Sequence, residues 1–229
     1  AKKEGVAIAY DCRIGSTEYA LNTALVLAAN GIKAYLFESL RSTPELSFAV
    51  RETGSLVGVV VTASHNPVEY NGYKVYWDDG AQIVEPHADG VVDEVNAIKD
   101  LSEIKIISEE EARSKGLIID IGAEIDDKYI ETIKKEAIQT DIQGKGDFKI
   151  VYSPLHGTGK RPVERVLKEM GFNAVYTVAS QAEPDGTFPT VGYANPEEPA
   201  VFKLGIELAE EVGATICMAN YPDADRIGI

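Results

Sequence analysis

The chain of 229 residues is poor in several residue types that mark particular classes of protein. Its two cysteines are far apart, and its three histidines lack the spacing of a zinc site, so neither a disulfide framework nor structural zinc is expected. No apolar run approaches the roughly 20 residues that cross a bilayer. We therefore expect a protein of a reducing, cytoplasmic compartment with no membrane partner.

Basic residues are also scarce, because 22 Lys and Arg face 37 Asp and Glu and leave a net charge of −15. Nucleic-acid backbones are bound by basic surfaces, so we expect no nucleic-acid partner. An anionic ligand would need a local cluster of Arg and Lys. What the chain does have is a hydrophobic content of 45%, which supports a sizeable core in one large or two ordinary domains.

Strand and helix signals alternate along the first part of the chain. Apolar β-branched runs predict strands, and capping residues or prolines predict helix starts. The predicted elements are a strand over 5–10, a helix over 16–29 with Ser16 as its N-cap, a strand over 33–37, a helix from Pro44 to Gly54, a strand over 56–61, an antiparallel arm over 73–77, a helix over 86–98, and a helix over 126–139 with Tyr129, Ile130, Ile133 and Ile138 inside. The charged stretch over 101–116 shows neither pattern.

Polar residues and two glycines over 140–148 predict a domain boundary, placed between residues 143 and 144. The elements predicted beyond it are a strand over 149–152, a helix from Pro162 to Gly171, a strand over 173–178, a helix over 200–212 and a strand over 214–219. The loop over 179–199 is too long for a passive connection and is expected to be functional. We therefore predict an α/β protein with two similar three-layer α/β/α domains, 1–143 and 144–229, built on mainly parallel mixed sheets.

Polar residues follow the strand over 56–61 directly, in Thr62-Ala63-Ser64-His65-Asn66-Pro67. The strand is apolar throughout, which is typical of burial on both faces, and Pro67 cannot continue a ladder. Ser64 is therefore expected just past the carboxyl end of a parallel strand, where ligands bind in open α/β sheets. A polar turn with a capping serine is the alternative. A serine hydrolase is weakly supported, because no Gly-x-Ser-x-Gly elbow surrounds Ser64.

A second polar group, Asp223, Asp225 and Arg226, follows the last predicted strand. The two aspartates alternate on an extended loop, so both carboxylates can face one side, and Mg²⁺ prefers such oxygen ligands. The planar fork of Arg226 suits a phosphate. The alternatives are a solvated acidic turn and a surface ion pair. The segment over 155–160 is only superficially like a P-loop, because Pro154 stands where that motif requires glycine.

The segment around Ser64 continues into Tyr70-Asn71-Gly72-Tyr73-Lys74-Val75-Tyr76-Trp77 and Asp78-Asp79-Gly80-Ala81-Gln82-Ile83. Together these segments resemble the phosphoserine loop region of the α-D-phosphohexomutases, and are most similar to the branch of phosphoglucomutases and phosphopentomutases. The resemblance implies that the chain is the amino-terminal half of a longer enzyme, with a phosphoserine loop in the first domain and a metal loop in the second.

The implied activity is that of an intramolecular phosphotransferase, an isomerase of carbohydrate metabolism. Glucose 1-phosphate and glucose 6-phosphate, or pentose 1- and 5-phosphates, would interconvert through a phosphoserine enzyme and a bisphosphorylated sugar. Mg²⁺ is the implied cofactor, and glucose 1,6-bisphosphate is the implied activator and intermediate. Residues 1–229 alone are expected to be inactive, since the family's sugar-binding and phosphate-binding domains would lie beyond them.

The resemblance also implies roles for individual residues. Ser64 would carry the phosphoryl group, and Ser64, Asp223 and Asp225 would hold Mg²⁺. The catalytic candidates are Ser64, His65 and Lys74, and the substrate-binding candidates are Arg13, Ser16, Ser64, Asp225 and Arg226. The alternatives are a loop anchor for His65, an exposed strand lysine for Lys74 and a simple N-cap for Ser16.

Tyr221 departs from the family pattern, in which an aspartate precedes the two that match Asp223 and Asp225. A neutral phenol is a poor ligand for Mg²⁺, so we expect a weakened metal site. The same departure motivates a rival hypothesis, a non-catalytic sugar-phosphate-binding pseudoenzyme. Neither the preference for hexose or pentose nor the oligomeric state can be predicted from these residues.

Overall fold

The computed structural model describes residues 2–229, which form two α/β units that each have their own sheet. The strands of the first sheet are β1 (Val6–Tyr10), β2 (Ala34–Phe37), β3 (Val57–Val61), β4 (Tyr73–Tyr76) and β5 (Ile118–Ile121). Their order is β4-β3-β1-β2-β5, and β4 is antiparallel to β3 whereas the other pairs are parallel. The apolar run before Ser64 is therefore an internal strand, as predicted.

Helices cover both faces of this sheet. The helices that pack on it are α1 (Ser16–Ala29), α2 (Thr43–Thr53), α4 (Glu109–Ser114) and α5 (Ala123–Lys135). The unit also contains α3 (His87–Ala97), which buries none of its residues, and a short 3₁₀ turn over Leu101–Glu103. Alternate side chains of β1 point to opposite faces. Ile8 therefore packs with α1 and α4, while Ala7 and Ala9 pack with α2 and α5. The predicted three-layer α/β/α arrangement is confirmed for this unit.

The second unit has a four-stranded sheet in the order β7-β6-β8-β9. Its strands are β6 (Ile150–Ser153), β7 (Val175–Thr177), β8 (Ile216–Asn220) and β9 (Ile227–Gly228), and its helices are α6 (Lys160–Glu169) and α7 (Lys203–Val212), with 3₁₀ turns over Ala179–Gln181 and Pro199–Phe202. The edge strand β9 is antiparallel to β8, and the other pairs are parallel. Each sheet is thus mixed and mainly parallel, as predicted.

Several predicted details are wrong. Helix α6 starts at Lys160 rather than at Pro162, and α7 starts at Lys203, after a 3₁₀ turn, rather than at Ala200. The N-cap of α1 is Gly15, with a φ of +82°, and Ser16 is the first helical residue. The strand β5 lies in a region to which no strand was assigned, and α5 starts and ends earlier than the predicted helix over 126–139. Ile138 consequently lies beyond the helix and is 99% exposed rather than buried. The errors in β5 and in α5 have one cause, because the short strand β5 brings the chain to the edge of the sheet and α5 then starts at Ala123.

The boundary between residues 143 and 144 lies between β5 of the first sheet and β6 of the second. Helix α5 contacts α2 of the first unit and α6 of the second, so it packs between the two units. The exact boundary stays a prediction. None of the helices within residues 2–229 combines the length and apolar character that a bilayer span requires.

Candidate active site

Ser64 lies three residues past the end of β3, with a left-handed backbone φ of +51° and an exposed fraction of 8%. Its backbone N–H donates to Thr62 Oγ1 at 2.9 Å, and Thr62 Oγ1 donates to Asp11 Oδ2 at 2.6 Å. Positive φ is uncommon outside glycine and persists where the surroundings hold it. The conformation of Ser64 therefore depends on a carboxylate at the end of β1.

Asp11 is the centre of this loop network, and the sequence analysis did not single it out. It also accepts hydrogen bonds from the backbone N–H of Arg13 at 2.9 Å and from Ser16 Oγ at 2.8 Å. Burial raises the pKa of the Asp11 carboxyl, and these donors together with Thr62 act to lower it. A charged residue directly after β1, at the same sheet edge as Ser64, was the signal that could have identified it.

Arg13 holds the Ser64 loop in place with its guanidinium group. It is 3% exposed, and its two terminal nitrogens donate to four backbone carbonyls, those of Ser64 at 2.7 Å, Asn66 at 2.5 Å, Pro67 at 2.9 Å and Tyr70 at 2.9 Å. Burial lowers its pKa, which the nearby Asp11 carboxylate counteracts. Its role in substrate binding stays a prediction, since in the structure these nitrogens bind the loop itself.

Ser16 is fully buried within the same network. Its hydroxyl donates to Asp11 and accepts from Asn71 Nδ2 at 2.9 Å, so Ser16 joins the first loop to the segment after Ser64. Gly72 follows at a close approach of two backbones, where an added Cβ would lie 2.5 Å from the carbonyl oxygen of Thr62. The substrate-binding role of Ser16 stays a prediction, and its observed contacts are structural.

Lys74 on β4 links the first unit to the aspartates of the second unit through ion pairs. Its Nζ donates to Asp223 Oδ2 at 2.8 Å and lies 3.6 Å from Asp225 Oδ2, and the lysine side chain is 21% exposed. Burial acts to lower the pKa of Lys74, but the two carboxylates outweigh it and raise the pKa above its usual value. Lys74 is thus a protonated, ion-paired residue of the site rather than an exposed strand lysine.

Asp223 is fully buried and is held by two elements of the first unit. Besides Lys74, Thr43 at the start of α2 donates its hydroxyl to Asp223 Oδ2 at 2.9 Å and its backbone N–H to the Asp223 carbonyl at 2.9 Å. Burial raises the pKa of the neighbouring Asp225, and Asp223 raises it further, whereas Lys74 and Arg226 lower it. Asp223 is therefore desolvated and held in place, whereas Asp225 remains open to solvent on one side.

The donor set fits a magnesium site with two protein carboxylates. Asp223 Oδ1 is buried and has no hydrogen-bond partner within residues 2–229. Mg²⁺ is commonly bound through one or two carboxylates together with phosphate oxygens and water. Asp223 and Asp225 could supply the carboxylates, although no group of three or more His, Cys, Asp or Glu side chains in the described part of the chain is arranged to hold a metal.

The segment over 155–160 supports the aspartate loop from the second unit. The N–H and Oγ1 of Thr158 donate to the carbonyl of Pro222 at 2.8 and 3.0 Å. An added Cβ at Gly157 would lie 2.4 Å from Pro222 backbone atoms, so only glycine allows this approach. The segment that superficially resembles a P-loop thus positions Asp223 through its neighbour.

The loop over 179–199 joins the two units next to the site. The ring of Phe188 lies 5.2 Å from the guanidinium carbon of Arg13, and an added Cβ at Gly186 would meet the carbonyl of Cys12 at 2.5 Å. At its far end, Glu197 reaches Tyr221 and Arg226. The loop therefore contacts both units, and its functional role stays a prediction.

Arg226 reaches from the aspartate loop to the Ser64 loop. Its Nη2 lies 3.4 Å from Ser64 Oγ and 2.7 Å from His65 Nδ1, and its Nε lies 3.4 Å from Asp225 Oδ1. Because arginine only donates, His65 Nδ1 must accept, which leaves the ring proton of a neutral His65 on Nε2. His65 Nδ1 is also 3.5 Å from Ser64 Oγ. Arg226 and His65 therefore both lie beside the Ser64 hydroxyl, and Asp225 is linked to it through Arg226.

Tyr221 is 2% exposed, and its hydroxyl donates to Glu197 Oε1 at 2.7 Å. Burial and this hydrogen bond raise the pKa of Tyr221 to about 12, so the phenol is neutral at ordinary pH. Its aromatic face lies 3.7 Å from the guanidinium carbon of Arg226. These contacts agree with the expectation that Tyr221 is not a metal ligand, and the strength of the metal site stays a prediction.

Comparison with known proteins relates this geometry to a family. The model for phosphoglucomutase/phosphomannomutase α/β/α domain I matches residues 1–102, and the model for domain II matches residues 127–229. A Staphylococcus epidermidis phosphoglucomutase is 38% identical over 98% of the chain and 40% of its own length. A Mus musculus phosphopentomutase is 35% identical over the whole chain and 38% of its own length.

The solved structures agree on the fold. The open form of the Paramecium phosphoglucomutase parafusin aligns with a TM-score of 0.75 at 20% identity, over 99% of this chain and 46% of the other. A phosphoglucomutase/phosphomannomutase family protein from Burkholderia thailandensis aligns with a TM-score of 0.70 at 24% identity, over 97% of this chain and 45% of the other. The chain spans about two fifths of the length of the two curated relatives named above.

Proposed function

Because the chain belongs to the phosphoglucomutase/phosphomannomutase family, we propose that it supplies the phosphoserine and metal loops of a phosphosugar mutase. Its substrates would be glucose 1-phosphate and glucose 6-phosphate, or pentose 1- and 5-phosphates, with glucose 1,6-bisphosphate as activator and intermediate. Homologues carry the names phosphoglucomutase and phosphopentomutase, which supports a phosphosugar and leaves hexose and pentose as alternatives. The sugar-binding and distal phosphate-binding groups would come from further domains.

One observation carries the proposal, namely that Ser64 Oγ lies at a boundary between the two units with a cation from the second unit beside it. Arg226 Nη2 is 3.4 Å from this oxygen. On the other side of the site, the Lys74 ammonium is paired with the two aspartates. A hydroxyl among cations and acidic metal ligands is what phosphoryl transfer needs, because such catalysis consists mainly of positioning and charge stabilisation.

In the proposed reaction Ser64 first carries the phosphoryl group. A hydroxyl oxygen of the bound sugar phosphate attacks phosphorus, the bond between phosphorus and Ser64 Oγ breaks, and the proton of the attacking hydroxyl is taken up overall by the released Ser64 oxygen. The resulting bisphosphate then returns the phosphoryl group at its other end to Ser64 Oγ. The strained backbone of Ser64, held through Thr62 and Asp11, keeps this oxygen in one position through both transfers.

The remaining side chains would stabilise charge. Arg226 faces the Ser64 oxygen and would bind phosphoryl oxygens. The carboxylate partners of Lys74 raise its pKa, so as a cation it would neutralise phosphate charge, and its general acid–base role remains part of the proposal. Asp223 and Asp225, together with the phosphate on Ser64, would hold Mg²⁺, which when bound neutralises charge on the phosphoryl oxygens.

Ser64→Ala tests the assignment. Wild-type residues 1–229 incubated with glucose 1,6-bisphosphate should gain the mass of one phosphoryl group, removable by a phosphatase, and the alanine variant should gain none. Ser102→Ala, at an exposed serine of the 3₁₀ turn over Leu101–Glu103, is the matched control and should behave as wild type. Uptake by the Ser64 variant at wild-type stoichiometry would refute the role of Ser64.

The second candidate function is a sugar-phosphate-binding pseudoenzyme, which the replacement of a metal ligand by Tyr221 favours. Such a protein would bind the sugar phosphate but would not become phosphorylated by the bisphosphate. The same mass measurement therefore separates the two functions, provided that binding is followed in parallel by calorimetry. Labelling of Ser64 by a fluorophosphonate would instead favour a serine hydrolase.

A further inference from the structure

We propose that Tyr221 and Glu197 are positioning residues that aim Arg226 at the Ser64 oxygen. This inference rests on the proposed function, because the oxygen to which Arg226 points is the one that would carry the phosphoryl group. It concerns residues at which the chain departs from, or adds to, the expected aspartate loop. Tyr221 would then have a role of its own, besides standing where the family has a metal ligand.

The face of the Tyr221 ring is the first element of the arrangement. The guanidinium carbon of Arg226 lies 3.7 Å from the ring centroid, which is short enough for a strong cation–π contact. The ring of His65 meets the Tyr221 ring edge-on, with centroids 5.3 Å apart and an interplanar angle of 83°. The buried tyrosine therefore supports both side chains that contact Ser64 Oγ.

Glu197 is the second element. Its Oε1 accepts the Tyr221 hydroxyl at 2.7 Å and lies 3.3 Å from Arg226 Nη1. One carboxylate oxygen thus fixes the ring at its hydroxyl end and one edge of the guanidinium. Because the guanidinium is planar, this edge contact and the stacking leave Nη2 directed toward Ser64 and His65.

The chemistry of the aromatic ring explains why a tyrosine suits position 221. An aspartate at 221 would bring a further anion beside Arg226, which already has Asp225 and Glu197 near it. An aromatic face attracts the guanidinium without adding a formal charge, so more of its positive charge remains for an anion on Ser64. Tyr221 thus exchanges a potential metal ligand for a better oriented and less neutralised arginine.

Four variants of residues 1–229 test this inference: Tyr221→Leu, Tyr221→Phe, Glu197→Gln and the control Tyr193→Leu. Tyr193 also lies edge-on to His65, at 6.2 Å between centroids, but makes no described contact with Arg226. The first readout is the NMR signal of the Arg226 Nε–H group, which the ring current of Tyr221 should shift upfield. The second is the rate constant of Ser64 phosphorylation at saturating glucose 1,6-bisphosphate.

Tyr221→Leu should abolish the upfield shift and slow phosphorylation about 3- to 30-fold, the range that a cation–π contact of this kind supports. Tyr221→Phe keeps the aromatic face without the hydroxyl, so it should retain most of the shift and lose less than Tyr221→Leu. Glu197→Gln should likewise fall between wild type and Tyr221→Leu, and Tyr193→Leu should match wild type in both readouts.

An Arg226 signal that is unchanged in Tyr221→Leu would overturn the inference, as would a lost shift with an unchanged rate constant. If the leucine variant does not fold, Tyr221→Phe and Glu197→Gln still test the inference. Wild-type behaviour of both variants would refute the positioning of Arg226 by Tyr221 and Glu197. A wild-type protein that shows the shifted signal but never becomes phosphorylated would refute the proposed function while supporting the placement of Arg226 on Tyr221.

Discussion

Replacing Arg13 by methionine should destabilise the protein far more than the removal of an exposed arginine. The side chain of Arg13 is buried, and four backbone carbonyls around Ser64 accept its hydrogen bonds. Asp11 Oδ2 lies 3.6 Å from Arg13 Nε, and both side chains are completely shielded from solvent. Methionine fills much of the volume but donates to none of these groups.

The expected cost follows from what is left unpaired. Removing one partner of a buried ion pair typically costs about 3–5 kcal/mol, because the remaining charge stays buried without compensation. Each carbonyl that loses its donor adds up to about 1–3 kcal/mol, although loosening of the loop would let water reach some of them. We expect a total loss of at least about 3–5 kcal/mol, the cost of the broken ion pair alone, which is already a large share of the roughly 5–15 kcal/mol by which such proteins are stable.

Urea unfolding of wild type, Arg13→Met, Arg13→Lys and Arg113→Met measures this difference. Arg113 pairs with Glu109 and Asp120 at the surface, where an ion pair is worth about 0–1 kcal/mol, so its variant is the matched control. Lysine at position 13 restores the charge but cannot reach four separate acceptors with one ammonium. Arg13→Lys should therefore lie between wild type and Arg13→Met.

A loss below about 1 kcal/mol for Arg13→Met, equal to that of Arg113→Met, would refute the reasoning. It would mean that the loop carbonyls find water or other donors without cost. Full recovery of stability in Arg13→Lys would refute it in another way, because charge alone rather than the geometry of the guanidinium would then hold the loop.

Three further predictions follow from the site and its surroundings. Burial raises the pKa of Glu45 to about 8, with Asp126 adding to the rise and Arg41 and Arg161 opposing it. A carboxyl that binds its proton more tightly when folded contributes stability that is full near pH 4 and is lost as the pH rises toward 8, so Glu45→Gln should gain stability over wild type between pH 5 and 8 in urea unfolding at each pH. Tyr221→Asp should tighten Mg²⁺ binding by at least about tenfold in calorimetry, since a carboxylate joins the two others, and equal affinities would contradict the weakened site. Because the chain spans about two fifths of the length of the curated relatives named above, we expect residues 1–229 alone to show negligible mutase turnover in a coupled assay; turnover similar to that of complete mutases would contradict this.

The order and type of most elements could be predicted from local residue patterns. The apolar run ending at Val61 forms an internal strand, and the left-handed glycines Gly54 and Gly213 end α2 and α7 where the pattern indicated. Strand β5 was missed although three of its four residues are isoleucine, because Asp120 interrupts the apolar run and the stretch before it is charged. What no local pattern shows is its partner, since β5 pairs with β2 at the edge of the sheet. The stability of a strand depends on its neighbours as well as on its own residues.

The candidate site divides in the same way. Ser64, Asp223, Asp225 and Arg226 could be identified from the sequence, because each follows a strand at the edge where α/β sheets bind ligands. Asp11 had a sequence signal in its place directly after β1, but the residues that only the tertiary structure revealed are Thr43 and Glu197. Thr43 and Asp223 are 180 positions apart, and Lys74 and Asp223 are 149 apart. No local pattern encodes such pairs, because a hydrogen bond between distant residues exists only once both sheets have formed and packed against each other.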